Sequence, residues 1–173
     1  SFSYFMIFIF AVVTALSLYF SLSNDAETIN EAGRQRMLSQ RLAKEAVMVV
    51  QDVGDKAALE KTIQLFNDSH LRLINGDPKT GISPPASPEI RAQLEQVGRL
   101  WQSYQDAIRN YLKSPDQANL KVIYLQAPII LKEMNSAVVM MADRSKTAVQ
   151  NQQLLALGMT AGILLLVILG RMF

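Results

Sequence analysis

The chain has 173 residues, of which 50% are hydrophobic and 18% charged, with a formal net charge of +2 and no cysteine. Ordinary soluble domains carry roughly a quarter charged residues, and here the deficit is concentrated: residues 1–24 and 147–170 hold no charged side chain. A simple soluble enzyme is excluded, as are disulfides and thiol chemistry, and so small a charge without Lys/Arg runs or interleaved aromatics speaks against nucleic-acid binding.

The first element, SFSYFMIFIFAVVTALSLYFSL, has about the 20 residues a helix needs to cross the hydrocarbon core. A signal peptide would have a shorter apolar core and a small-residue cleavage site. The long run without an obvious site predicts a membrane helix over residues 1–23. The last element, LLALGMTAGILLLVILG, is followed by Arg171, a suitable cytoplasmic flank, and predicts a second membrane helix over residues 153–171. Two spans put both termini on one side of the membrane and residues 24–152 on the other, in the periplasm or extracellular space. Only Met172 and Phe173 follow Arg171, so a cytoplasmic signalling module is expected downstream in a longer protein.

The middle is helical throughout, without the alternation of a strand. A first helix is predicted from Asn24 or Asp25 to about Asp52, broken by Gly54 and Asp55. The second carries Leu59, Ile63, Phe66, His70 and Leu73 at steps of four and three, one helical face. NGDPKTGISPPASPE then makes an exposed loop. Ser87-Pro88 caps a third helix, whose face is Ile90, Leu94, Val97, Trp101, Tyr104, Ile108 and Tyr111, spaced as core. Ser114-Pro115-Asp116 turns into a fourth, with Leu120, Ile123, Ala127, Ile130, Met134, Ala137, Met141 and Ser145 as its seam and a kink or short break expected at Pro128. The fold class is therefore all-α: an up-down-up-down bundle continuous with two transmembrane helices.

The segment with chemistry is INEAGRQRMLSQRLAKEAVMVV in the first helix. At 100° per residue, Ile29, Gly33, Arg36, Gln40, Ala43 and Val47 share one stripe, roughly opposite Leu38, Leu42, Ala46 and Val49. One helix of a four-helix monomer needs a single apolar face. A second face implies a second partner, most simply the same helix of another copy across a two-fold axis. There Arg36 would meet its own copy, and two like charges roughly 6 Å apart repel by a few kcal/mol at an effective dielectric of about 20. An anion on the axis reverses that sign and accepts charge-assisted hydrogen bonds from both guanidinium forks. Gly33, one turn earlier, lets a ligand or partner helix approach, and a flat anion such as nitrate suits two planar guanidiniums. The plainer alternative is an ion pair of Arg36 with Glu31 or Glu45. Arg34 and Arg41 are expected solvated or ion-paired, and His70 as a hydrogen-bonded packing residue.

INEAGRQRMLSQR resembles the first-helix box of the PilJ-type sensory domain, the N-terminal domain of type IV pili methyl-accepting chemotaxis transducers. It is also similar to that of the NarX/NarQ nitrate/nitrite sensor histidine kinases. Ile29, Asn30, Ala32, Gly33, Arg36 and Met37 carry the likeness, with LEQVGRLWQSYQDAI and Met134-Asn135 supporting it. The resemblance implies a homodimeric periplasmic helical-bundle sensor, residues 24–152, anchored in the inner (cytoplasmic) membrane, in which Arg36 and Gly33 hold the anion at the dimer interface. The expected ligand-binding set is Arg36, Gly33, Met37 and Gln40, with no catalytic residue, metal or cofactor. Arg34-Gln35 and Leu38-Ser39-Gln40 follow the chemotaxis form of the box. Two alternatives stand beside this reading: a protein-interaction module contacting a pilus subunit through the Pro-rich loop, and the sensor part of a histidine kinase. An enzyme has no support in the chain, which offers no paired-carboxylate site, nucleophile with a base, or phosphate-binding loop.

Overall fold

The computed structural model describes the backbone of residues 2–172 and the side chains of residues 8–162. The part of the expected second membrane span beyond residue 162 lies outside the described side chains. Four helices follow in order, α1 (Phe2–Val50), α2 (Lys56–Asn75), α3 (Pro88–Lys113) and α4 (Gln117–Met172). The chain divides into two compact units, one of residues 24–142 and one of residues 1–23 with 143–173.

Local chemistry sets the ends of the inner helices. Asp55 accepts a hydrogen bond from the Ala57 N–H at 2.8 Å and starts α2. Ser87 caps α3 from the Ile90 N–H at 3.3 Å, with Pro88 in the first turn, so each cap satisfies a donor the helix leaves unpaired. Gly76 ends α2 at φ 76°, a conformation that costs glycine nothing and other residues strain. A Cβ there would also lie 2.9 Å from the Pro84 ring.

Within the unit of residues 24–142, an up-down-up-down bundle closes around two apolar clusters. The larger joins Leu38, Leu42 and Ala46 of α1 to Leu59, Ile63 and Phe66 of α2, Val97, Trp101, Tyr104 and Ile108 of α3, and Ile123, Ile130 and Met134 of α4. The smaller joins Ala32, Leu73, Ile82, Ile90, Leu94, Ala137 and Met141. Every residue of the predicted α3 face is buried, and Trp101 stacks on Phe66 with ring centroids 3.9 Å apart. The core seam of α1 also takes polar residues: Thr28, Gln35 and Ser39 are buried beside Ala32, Leu38, Leu42 and Ala46.

One expectation needs correction. The break at Pro128 does not occur, since α4 runs through it. Pro128 and Tyr124 are on the exposed side, where the carbonyl that loses its partner can be hydrated rather than orphaned. The Pro-rich loop is largely exposed, as expected, but it is also anchored to the bundle. Asp77 and Ile82 bridge across it, Ile82 inserts into the smaller cluster, and the Ser83 N–H donates to Thr28 Oγ1 at 3.0 Å.

In the other unit, Phe8, Phe10, Val13, Leu16, Tyr19 and Phe20 of α1 are exposed, and so are Leu154, Leu155 and Leu157 of α4. The α1 stretch is long and apolar enough to cross a membrane, with none of it buried. Exposed apolar surface costs about 25 cal/mol per Å² in water, so this surface calls for an apolar surrounding.

Candidate functional site: a cationic groove between α1 and α4

On the α1–α4 side of the bundle, Gly33, Arg36 and Met37 line an open groove of about 630 Å³ with Pro128, Leu131, Lys132 and Asn135. Its charged lining is one arginine and one lysine, and no carboxylate contributes to it. The ion pairs among the described residues join Arg34 to Glu31 at 3.7 Å, Arg41 to Glu45 at 2.6 Å, and Arg72 to Glu31. Glu31 and Glu45, the candidate partners for Arg36, are therefore engaged elsewhere. Arg36 is half-buried, and its Nη1 donates to the Asn135 side-chain oxygen at 2.7 Å. That acceptor is neutral, so the positive charge is oriented but not compensated. A half-buried cation without a counter-charge is unfavourable, and an anion in the groove would relieve it.

Three of the four expected ligand residues meet here; Gln40 does not. Its Nε2 instead donates to the Ala127 carbonyl on α4 at 3.3 Å and to Ser39 Oγ at 3.4 Å. One turn of helix spacing put Gln40 on the Arg36 stripe, but α4 packs close enough there to capture its amide. Met37 is 54% exposed, unusual for a large apolar side chain in a groove. A Cβ on Gly33 would sit 3.5 Å from Arg36 Nη2, an ordinary contact. The chain's own packing does not demand a glycine there, and the space it leaves faces outward. Lys132 and Asn135 were not among the expected site residues. The Met134-Asn135 pair carried only the family likeness, and the partnership with Arg36 spans 99 positions of sequence.

The turn of α1 that presents Arg36 is tied to all three other helices. Gln35, 1% exposed, donates to the Phe66 carbonyl of α2 at 3.4 Å. The Tyr104 hydroxyl of α3 donates to the Ser39 carbonyl at 3.0 Å, and burial pushes its pKa up, so it stays a donor. Gln40 and Arg36 reach α4. These bonds fix the height of the site along the bundle.

Glu31 lies below, outside the apolar stretch of α1. Burial alone raises its pKa, but the hydrogen bond from Arg72, with the fields of Arg72 and Arg34, outweighs burial and holds it below the usual carboxylate value. His70 packs on Phe66 as a core residue, but the expected hydrogen bond is missing: Nδ1 is buried without a protein partner. Burial lowers its pKa, so it is held neutral. The unfolded chain then binds a proton more readily than the folded one, and stability is complete above the unfolded value of about 6.5 and falls as pH drops through it. Urea unfolding of the chain in detergent micelles, followed by Trp101 fluorescence, should show a lower midpoint at pH 5.5 than at pH 7.5. His70→Gln should flatten that difference; an equal decline in the variant would assign it to other groups. Among the described residues, no cluster of His, Asp or Glu is placed to hold a metal ion.

Four antiparallel helices around an aromatic core, with an uncompensated cation in an outward groove, define an all-α bundle with a candidate anion site. Residues 18–125 match the PilJ family, the type IV pili methyl-accepting chemotaxis transducer N-terminal domain, and the chain belongs to it. The methyl-accepting chemotaxis protein McpN of Pseudomonas aeruginosa is 35% identical over 99% of the chain, and protein PilJ of the same organism is 34% identical over 46% of it. The chain spans 32% of the first and 12% of the second. The solved ligand-binding domain of the P. aeruginosa nitrate receptor McpN superposes with a TM-score of 0.65 at 34% identity, covering 69% of this chain and 96% of that one.

Proposed function

We propose that the chain is the sensor part of a transmembrane chemoreceptor that binds a small oxyanion, nitrate first, between the Arg36 side chains of two copies. The observation that carries this reading is the half-buried Arg36 with a neutral partner and no carboxylate in its groove. The nitrate receptor named among the relatives supports the choice of anion. The groove is open, and an anion in it would remain hydrated. A second copy would close it, and the exposed Met37, Leu125 and Ile129 offer an apolar border for that contact. At the two-fold axis the anion bridges both guanidiniums and removes their repulsion, so it favours the close-paired state over the open one. Pairing draws the α1 helices together and shifts α1 lengthwise against α4 by about 1–2 Å, the usual step of packed helices.

In this reading residues 1–23 and 153–171 cross the cytoplasmic membrane, residues 24–152 face the periplasm, and the displacement reaches a chemotaxis module in the longer protein. A ligand bound only by the folded state at 100 times its Kd stabilises it by about 2.7 kcal/mol. The full chain in micelles should therefore melt higher with nitrate than with chloride at equal ionic strength, and nitrite should act more weakly or equally. No shift with any inorganic oxyanion would defeat the reading.

A further inference from the structure

The oxyanion reading places the ligand on α1, yet the groove's polar lining is shared with α4. Asn135 and Lys132 are three residues apart on α4 and line the same groove as Arg36. We propose that Asn135 is the positioning residue of the site, aiming the Arg36 guanidinium without neutralising it, and that Lys132 is its second cation and sets the preference for anions.

The chemistry of the acceptor identifies its role. A side chain that served only to hold an arginine in a bundle would do best as a carboxylate, which can accept two parallel bonds from the guanidinium fork and neutralise its charge as well. Here the acceptor is an amide oxygen, 2.7 Å from Nη1. The amide fixes one edge of the planar fork and leaves the full positive charge and the remaining N–H groups for a ligand. Among the described hydrogen bonds Asn135 Nδ2 donates to nothing, and Lys132 makes no ion pair within 4.0 Å. The groove thus offers donors from a guanidinium, an amide and an ammonium, and its lining contains no charged acceptor. A site split between two helices also supplies what a sensor requires: the ligand touches both elements whose relative position is to change.

The inference rests on the oxyanion reading, and the test separates the two. Nitrate is titrated calorimetrically into the full chain in micelles, with urea unfolding of each variant measured alongside. Asn135→Asp differs by one atom and creates an internal ion pair with Arg36. It is expected to weaken nitrate binding at least about 100-fold while leaving the unfolding midpoint unchanged or raised. Asn135→Ala should weaken binding about 10-fold. Lys132→Gln should weaken it about 3- to 10-fold at low salt and flatten the salt dependence of Kd, and Lys132→Arg should restore both. A merely structural Asn135 would behave differently, with binding falling only as stability falls. If the wild type binds and Arg36→Ala does not, but Asn135→Asp binds like the wild type, the inference is overturned and the oxyanion reading stands. If the wild type takes up no oxyanion, both are overturned.

Discussion

Replacing Arg36 with alanine is expected to reduce nitrate binding at least about 100-fold, beyond calorimetric detection, with the bundle intact. In a paired receptor each substitution removes two guanidiniums from one ligand. A hydrogen bond to a charged group contributes about 1.5–3 kcal/mol, so losing one from each protomer costs about 3–6 kcal/mol. At 1.4 kcal/mol per factor of ten this is two to four orders of magnitude. Stability should change little, because the guanidinium's side-chain partner is Asn135, which is exposed and can turn to water. Arg36→Lys keeps the charge but loses the planar fork, and its affinity should fall between the two. Retained affinity in Arg36→Ala would remove this groove from the mechanism.

The largest stability effect is expected at Phe66. The side chain is 0% exposed, stacked on Trp101 and near-parallel to the His70 ring 6.5 Å away. Phe66→Ala should cost about 3–5 kcal/mol, the range for deleting a buried aromatic ring, to which the lost stacking contributes about 0.5–1.5 kcal/mol. Trp101 is the chain's single tryptophan and hydrogen-bonds Asn67 through its ring nitrogen at 2.6 Å, so its fluorescence reports the loss directly. Phe66→Leu refills most of the volume and should cost under about 1.5 kcal/mol. A loss below about 1 kcal/mol for the alanine variant would show that the aromatic stack is not the centre of the core. Nitrate affinity measured below the melting transition should survive Phe66→Ala, which separates the core from the groove.

The fold was legible where burial and residue type agree. The α3 face is apolar at every buried step, so its spacing alone gave its orientation, and the cap at Ser87 announced its helix, whereas Asp55, read as a breaker of α1, turns out to cap α2. The α1 seam was only partly legible. Thr28, Ala32, Gln35, Ser39, Leu42 and Ala46 recur at steps of four and three, but three of them are polar and disguise the pattern. Ser39 is satisfied within its own helix by the Arg36 carbonyl, but Gln35 donates to the Phe66 carbonyl of α2 and Thr28 accepts from the Ser83 N–H of the loop, partners that exist only once the bundle is assembled. Pro128 suggested a break because its missing donor is a local property, whereas the solvent that relieves it is a property of the face.

The candidate site divides the same way. Arg36 and Gly33 stood out because a cation and a glycine on a stripe of small and apolar residues need a reason. Gln40 shared the stripe but was claimed by the Ala127 carbonyl. Lys132 looked like any solvated lysine, and Asn135 like a helix-surface amide carrying no more than a family likeness. Their part in the groove follows from the packing of α4 on α1, which no short-range spacing contains.

The most direct measurement is calorimetric titration of nitrate into the full chain at fixed ionic strength, read for stoichiometry together with affinity, beside sedimentation of the same samples. One anion per two chains, with nitrate driving pairing and Arg36→Ala abolishing both, is the predicted outcome. One anion per chain in a particle that stays monomeric, with affinity indifferent to residue 36, would contradict the shared cationic seat.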